Sequence, residues 1–201
     1  MKNAQTFIFI GKSGCGKGTQ AALLAEYLKT KDTRKIFNIE TGAEFRKFIN
    51  GSTYSAKMAK DIQVAGERQP DFLAINMWGK LFIDTLEENE HIIADGCPRS
   101  KLEAMILETA FRFYKRDNPF IIYLDVSGDS VTDRLIKRGR SDDQSEVIKK
   151  RLKFFEDDVK PAVDFYAEKF GYNFLHIDGE PSIDEIHKDI IKRLEHTWQS
   201  Q

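Results

Sequence analysis

No stretch of this 201-residue chain is apolar for long enough to span a bilayer, which argues against a helical membrane protein. Cysteine is scarce: Cys15 and Cys97 are too few for a disulfide framework, so a reducing cytoplasm is the expected compartment. His91, His176, His187 and His196 show no ligand spacing and no cysteine cluster accompanies them, so no structural metal, and in particular no structural zinc, is expected. Neither sign of charge dominates, with 31 Lys and Arg against 32 Asp and Glu, so nothing global points to nucleic acid or a membrane surface as partner. Repeats, low-complexity tracts and long linkers are absent, and the first thirty residues read as a strand and a loop rather than a signal peptide. What remains, 41% hydrophobic and 31% charged, suits one globular domain spanning 1–201.

The chain is organised around Gly11-Lys-Ser-Gly-Cys-Gly-Lys-Gly-Thr19. Ahead of it Thr6-Phe-Ile-Phe-Ile10 reads as a buried strand, and behind it residues 20–28 carry apolar side chains at helical spacing. Strand, glycine loop and helix start form an anion cradle: glycines let the backbone approach a ligand, successive N–H groups point inward, and the helix adds its positive dipole end. Lys17 supplies a point charge for the β- and γ-phosphates of a nucleotide. Gly11, Gly16 and Lys17 fit the pattern G-x-x-x-x-G-K-[ST], but Gly18 stands where Ser or Thr is expected and Thr19 follows one place late.

Further along, short apolar strands alternate with helical periodicity. Strands are expected at 35–39, 91–94, 119–124 and 172–177. Helices are expected from Thr41, from Tyr54 to Gly66, from Asp71 as N-cap to about Glu88, from Ser100, around Val131 to Ile136, from about Ile148 to Val159 with Pro161 kinking or restarting it, and from the capping box Ser182-x-x-Glu185. The helix after Asp71 is expected to bury Phe72, Ile75, Trp78, Phe82 and Leu86, and the one after Ser100 carries Leu102, Met105, Ile106 and Phe113 as its apolar residues. The alternation predicts an α/β fold: a five-stranded parallel sheet with helices on both faces.

Acids and arginines gather where such a sheet places its ligands, at the carboxyl ends of the strands. Asp95 ends one strand before Gly96 and suits the water shell of a Mg²⁺. Arg46, Arg99, Arg134, Arg138, Arg140 and Arg151 fall in or beside segments that reach the same edge. Phosphoryl transfer uses such a set, because the moving group spreads charge over three oxygens and a guanidinium fork binds oxygens in pairs.

In combination these residues resemble the adenylate kinase family. Gly11 to Gln20 is similar to its signature, in which Lys is followed by Gly-Thr-Gln; Thr41-Gly-Ala-Glu-Phe-Arg46 resembles T-G-D-x-L-R; Asp95-Gly-Cys-Pro-Arg99 resembles D-G-F-P-R; and Arg134-x-x-x-Arg138, Arg140-x-Asp142-Asp143 and Arg151 resemble the late arginine set. The resemblance implies a P-loop core, a monophosphate-binding flap at 40–70 and a short lid at 138–143 without a zinc-bearing insertion. It further implies reversible transfer of the ATP γ-phosphoryl to AMP with Mg²⁺, by a monomer that binds neither nucleic acid nor membrane. Gly14, Cys15, Gly16, Lys17, Gly18, Thr19, Arg134, Arg138 and Pro181 are then expected around ATP. Thr41, Arg46, Gln69, Gly96, Arg99, Glu103, Arg140 and Arg151 are expected around the monophosphate, with Asp95 and Thr19 on the metal side through water.

Four departures bear on activity. Ala43 replaces the flap carboxylate, which leaves open a weakened nucleotide-binding relative; Cys97 replaces an aromatic; Arg68-Gln69-Pro70 replaces an apolar lining, with Gln69 expected to offer its backbone carbonyl to the base. Glu103 stands where the family reads the adenine edge with Gln. A carboxylate only accepts, so it suits the adenine amino group or the guanine N1 and N2 donors, or else it simply completes a capping box with Ser100. Thr41 favours adenine within this resemblance, and GMP or another monophosphate is the alternative acceptor.

Overall fold

Apolar side chains on both sides of a strand can be satisfied only by a helix layer on each face, and the chain does this around a central β1. The structure, a computed structural model, describes residues 3–140 and 143–199. Five strands, β1 (Thr6–Gly11), β2 (Ile36–Glu40), β3 (His91–Asp95), β4 (Phe120–Asp125) and β5 (Asn173–Asp178), form one sheet in the order β2-β3-β1-β4-β5. Every pairing is parallel, with Phe7 opposite Ile93 on one side and Phe120 on the other. Successive side chains of β1 alternate between two cores. Ile8 and Ile10 join Trp78, Phe82, Leu107, Phe111 and Tyr166 on one face; Phe7 and Phe9 join Leu24, Leu28, Ile186, Ile190 and Leu194 on the other.

The helices are α1 (Lys17–Lys31), α2 (Thr41–Phe48), α3 (Tyr54–Val64), α4 (Asp71–Thr85), α5 (Lys101–Phe113), α6 (Gly128–Arg138), α7 (Ser145–Phe154), α8 (Lys160–Ala167) and α9 (Ile183–Gln199). The five-stranded parallel sheet is as the alternation predicts. Between α7 and α8 a single π turn, Phe155–Val159, continues the helical run where the end of one helix was expected, and Pro161 lies directly after it as the second residue of α8. Ser182 and Glu185 do form a reciprocal box: Ser182 N–H donates to Glu185 Oε2 at 3.0 Å and Glu185 N–H to Ser182 Oγ at 3.4 Å.

Three local expectations fail, two of them beside side chains that pair across elements. Asp71 begins α4 rather than capping it, because its carboxylate is taken by Arg68 and by the Ser100 hydroxyl at 2.7 Å. Phe72 is 72% exposed, whereas Trp78 and Phe82 are buried as expected, with Ala74 beside them and Ile75 and Leu86 partly buried against the same core. On α5 the apolar residues Leu102, Met105 and Phe113 face outward, while the buried side is Glu103, Ala104, Leu107 and Phe111. A carboxylate at a core position inverted the apparent stripe.

At the amino end of β3, His91 is fully buried; the Gln5 N–H donates to its Nδ1 at 3.0 Å, and Asp32 stands 3.5 Å from Nε2. Burial pushes the imidazole below its usual 6.5, with Asp32 opposing and the Arg34 and Arg116 charges reinforcing the shift. The unfolded chain therefore takes up the proton first, so stability is full above pH 6.5 and is lost as pH falls below it. Denaturant unfolding between pH 5 and 7.5 should show His91→Asn flattening this slope relative to the parent chain.

Candidate active site

The loop after β1 wraps a cradle that requires glycine at defined points. A Cβ on Gly11 would sit 2.6 Å from the Leu124 carbonyl and 2.8 Å from Cys15 Sγ, and Gly14 and Gly16 have φ of +88° and +102°. The late hydroxyl also has a steric cause. A Cβ on Gly18 would lie 3.2 Å from Asp95 Oδ2, so the side chain at this point of α1 is removed and the Asp95 carboxylate comes directly against the loop. Lys17 turns back across the cradle, where its Nζ donates to the Gly11 and Lys12 carbonyls at 2.8 and 2.9 Å.

A cavity of about 600 Å³ opens over this loop at the carboxyl edge of the sheet. Lys17, Asp95, Arg46, Arg99, Arg134, Arg138, Arg140 and Arg151 all line it, contributed by α1, the end of β3, α2, the loop before α5, α6 and its C-terminal loop, and α7. Gly14, Gly16, Gly18, Thr19, Gln69 and Gly96 line it as well. Arg46 and Arg99 converge on Gly42, whose Cβ would meet Arg46 Nη1 at 3.3 Å and Arg99 Nη2 at 3.5 Å. Arg99 is steadied by its Nε donating to the Gly96 carbonyl at 2.8 Å.

The later arginines are organised by partners. Arg134 Nη2 donates to the Gly179 carbonyl at 2.9 Å and its Nη1 reaches the Cys15 carbonyl at 3.4 Å, which ties α6 to the phosphate-binding loop and to the loop before α9. Glu180 in that loop accepts the Ser127 N–H at 2.8 Å, and the hydrogen bonds from Ser127 and Ser130, helped by Arg134, bring its carboxyl down to about 2. Asp143 is the hub of the last group. It accepts from Arg138 Nε and Nη2 at 2.9 and 2.7 Å, from the Arg140 N–H at 3.2 Å and from Arg151 Nη1 at 3.3 Å. Burial disfavours its charge, but Arg138 and the other donors outweigh that, and its carboxyl is held below the usual range.

Some expected residues are elsewhere. Cys15 turns its thiol into the core beneath Gly11, and Thr41 is buried beside Gly96. Cys15 and Cys97 are both free and buried, and burial pushes the Cys97 thiol up to about 12. Pro181 is exposed beside the loop that Arg134 holds, and Asp142 lies outside the described residues. Glu103 does not reach the cavity surface. Its backbone N–H donates to Ser100 Oγ at 3.1 Å, but its carboxylate turns inward to Trp78 Nε1 at 3.3 Å, so only half of a capping box forms. Burial raises its pKa, opposed by Arg99, Trp78 and Arg68. Gln69 commits its side-chain amide to the Ala59 carbonyl at 2.8 Å. Ala43 lines the cavity, while Glu44 points away to Lys47 at 2.7 Å.

Asp143 and Arg68 escaped selection from the sequence. Asp143 was visible only as part of the pattern Arg140-x-Asp-Asp, and Arg68 only as an unusual lining residue.

The sequence that builds this sheet and its glycine loop matches a known family. The family model for adenylate kinase matches residues 9–170. The chain belongs to the adenylate kinase family. It is 32% identical over 187 residues to "Adenylate kinase" of Prochlorococcus marinus (strain MIT 9515), covering 93% of this chain and 97% of that one. It is 33% identical over 179 residues to "Adenylate kinase 1" of Nostoc sp., covering 89% and 92%. With "Adenylate kinase" of Bacteroides thetaiotaomicron the identity is 32% over 192 residues, covering 94% and 97%. Membership makes the chain a phosphotransferase built on the P-loop fold. Among the described residues no helix is long and apolar enough to cross a membrane, and no group of three or more His, Cys, Asp or Glu gathers as a metal site.

Proposed function

We propose that this adenylate kinase family member transfers the γ-phosphoryl group of ATP to AMP, reversibly, giving two ADP. One observation carries the reading: Lys17, seven arginines and Asp95 from distant parts of the chain face a single cavity of about 600 Å³. The loop amides and Lys17 hold the donor phosphates; Arg46 and Arg99 hold the acceptor phosphate; Arg138, Arg140 and Arg151 stabilise charge on the moving group; and Arg134 fixes the loop beside the donor base. Closure of the flap at 40–70 and of the lid residues Arg138, Arg140 and Asp143 excludes water, which would otherwise take the phosphoryl group; residues 141–142 of the expected lid lie outside the described residues. Cys15 takes part through its backbone, Thr41 through its place beside Gly96, and Pro181 by ending the loop next to the donor base.

Mg²⁺ fits the oxygen donors present: Asp95, with its carboxylate at Gly18, and Thr19 would hold it through water, and it would supply charge neutralisation for the phosphates. Two free buried thiols support a cytoplasmic enzyme, and a monomer is what the family resemblance implies.

The test is a coupled assay of ADP formation with ATP and, in turn, AMP, GMP, CMP and UMP. AMP is expected to be the preferred acceptor. Turnover of another monophosphate in its place would reassign the acceptor, and turnover with none of the four would overturn the transferase.

A further inference from the structure

The edge strand of the sheet ends in a carboxylate that none of the roles above uses. Glu40 closes β2, and the parallel register places it beside Asp95, the last residue of β3. Side chains alternate along each strand, so residues of one parity share a face. Phe37 and Ile39 enter the core of Trp78, whereas Ile36 and Ile93 face the other core, and Glu40 and Asp95 follow Ile36 and Ile93. That is the face covered by α1, where the Asp95 carboxylate meets Gly18. Neighbouring strands lie about 4.8 Å apart, so the two acids stand side by side. Glu40 is exposed and lines the cavity with Lys17, Gly18, Ala43 and Asp95.

Two observations separate Glu40 from an ordinary acid on an edge strand. It occupies the N-cap of α2, yet its side chain makes no capping hydrogen bond. Among the described residues neither its carboxylate nor that of Asp95 has a hydrogen-bond or ion-pair partner, although Lys17 and seven arginines line the same cavity. Like charges set side by side repel, and a second acid in a site for anionic phosphates weakens it unless a cation is shared between them.

Resting on the phosphoryl-transfer reading, we infer that Glu40 is a further positioning residue of the reaction and that, with Asp95, it holds the water shell of the divalent cation accompanying the phosphates. The strand register sets the spacing of the two acids before any nucleotide arrives, and Ile39, fully buried next to Glu40, fixes the strand end. Ala43, three residues on in α2, lines the same wall without a charge. The second acid of this wall therefore comes from the end of a strand and not from the helix that follows it.

The experiment measures by calorimetry the binding of an analogue that joins two adenosines through five phosphates, once in excess Mg²⁺ and once in EDTA. It compares the parent chain with Glu40→Gln and with a control, Glu44→Gln, whose acid points away to Lys47. Glu40→Gln should weaken binding in Mg²⁺ about tenfold, because a charged anchor of a hard cation is lost. In EDTA the same variant should bind as tightly as the parent or up to about threefold more tightly, because a carboxylate no longer faces bare phosphates. The Mg²⁺ concentration for half-maximal ADP formation should rise about tenfold. The melting temperature should stay where it is, and Glu40→Ser, which places a favoured N-cap on α2, repeats the measurement if Gln unsettles the fold. Glu44→Gln should match the parent throughout. A residue that only shapes the flap would weaken both bindings alike, so an equal loss in Mg²⁺ and EDTA, or no change in either, would overturn the role of Glu40. The opposed responses in a chain that transfers nothing would sustain that role and overturn the transferase reading alone. An analogue that the parent binds in neither buffer would overturn both.

Discussion

Lys17→Met is expected to lower kcat between about 10²- and 10³-fold, the cost of removing one preorganised positive group from a site where charge develops, or about 3–4 kcal/mol. The ammonium rests on two loop carbonyls, at 2.8 and 2.9 Å, so its position is set before any phosphate arrives. Met keeps the length and apolar stem of the side chain and removes only the charge and the donors. KM for ATP should rise less than kcat falls, because the loop amides and the dipole of α1 remain. Steady-state rates of ADP formation, with circular dichroism to show that the fold is retained, check both halves of this expectation.

Asp143→Ala should be almost as damaging although Asp143 touches no phosphate. Its carboxylate holds Arg138 by two hydrogen bonds and also engages Arg140 and Arg151, so its loss lets three cavity-lining residues drift at once. A misplacement near 1 Å at the reacting group costs on the order of 10²-fold, and kcat/KM for both substrates should fall by about that much. Asp143→Asn should be intermediate, since it keeps part of the geometry without the charge. The pH dependence separates this from a titration effect. The folded carboxyl lies below its usual 3.8, so its contribution is complete above that value and is lost only as pH falls through the lower folded pKa. Between pH 6 and 9 the deficit of Asp143→Ala should therefore be constant.

The sheet was legible because its strands are buried on both faces. Runs such as Phe120-Ile-Ile-Tyr-Leu124 leave no polar side to turn outward, and the glycine loop marks the central strand. The helix faces were less so. Periodicity on α5 pointed to Leu102, Met105 and Phe113, because a Glu at position 103 scores as surface; only its tie to Trp78, 25 residues earlier in the chain, makes it a core residue. The same limit hid Asp143, whose value lies in bonds to three arginines, and Arg68, whose partners come from α4, α5 and the π turn. Spacing along a chain reports which side chains share an element. It says little about which of them share a charge.

The widened turn at Phe155–Val159 has a mechanical consequence. Glu156 stands 3.8 Å from Lys12 of the phosphate-binding loop, Asp158 stands 3.5 Å from Arg68, and Phe155 and Val159 form part of the cleft wall between them. In a regular helix residues two apart diverge by about 200°, and the looser winding here changes that angle. One rigid rod thereby braces both ends of the cleft, like a crossbar joining two posts. Removing a single residue from it would rotate α7 by roughly 100° relative to α8 and swing Arg151 out of alignment with the opposite bank.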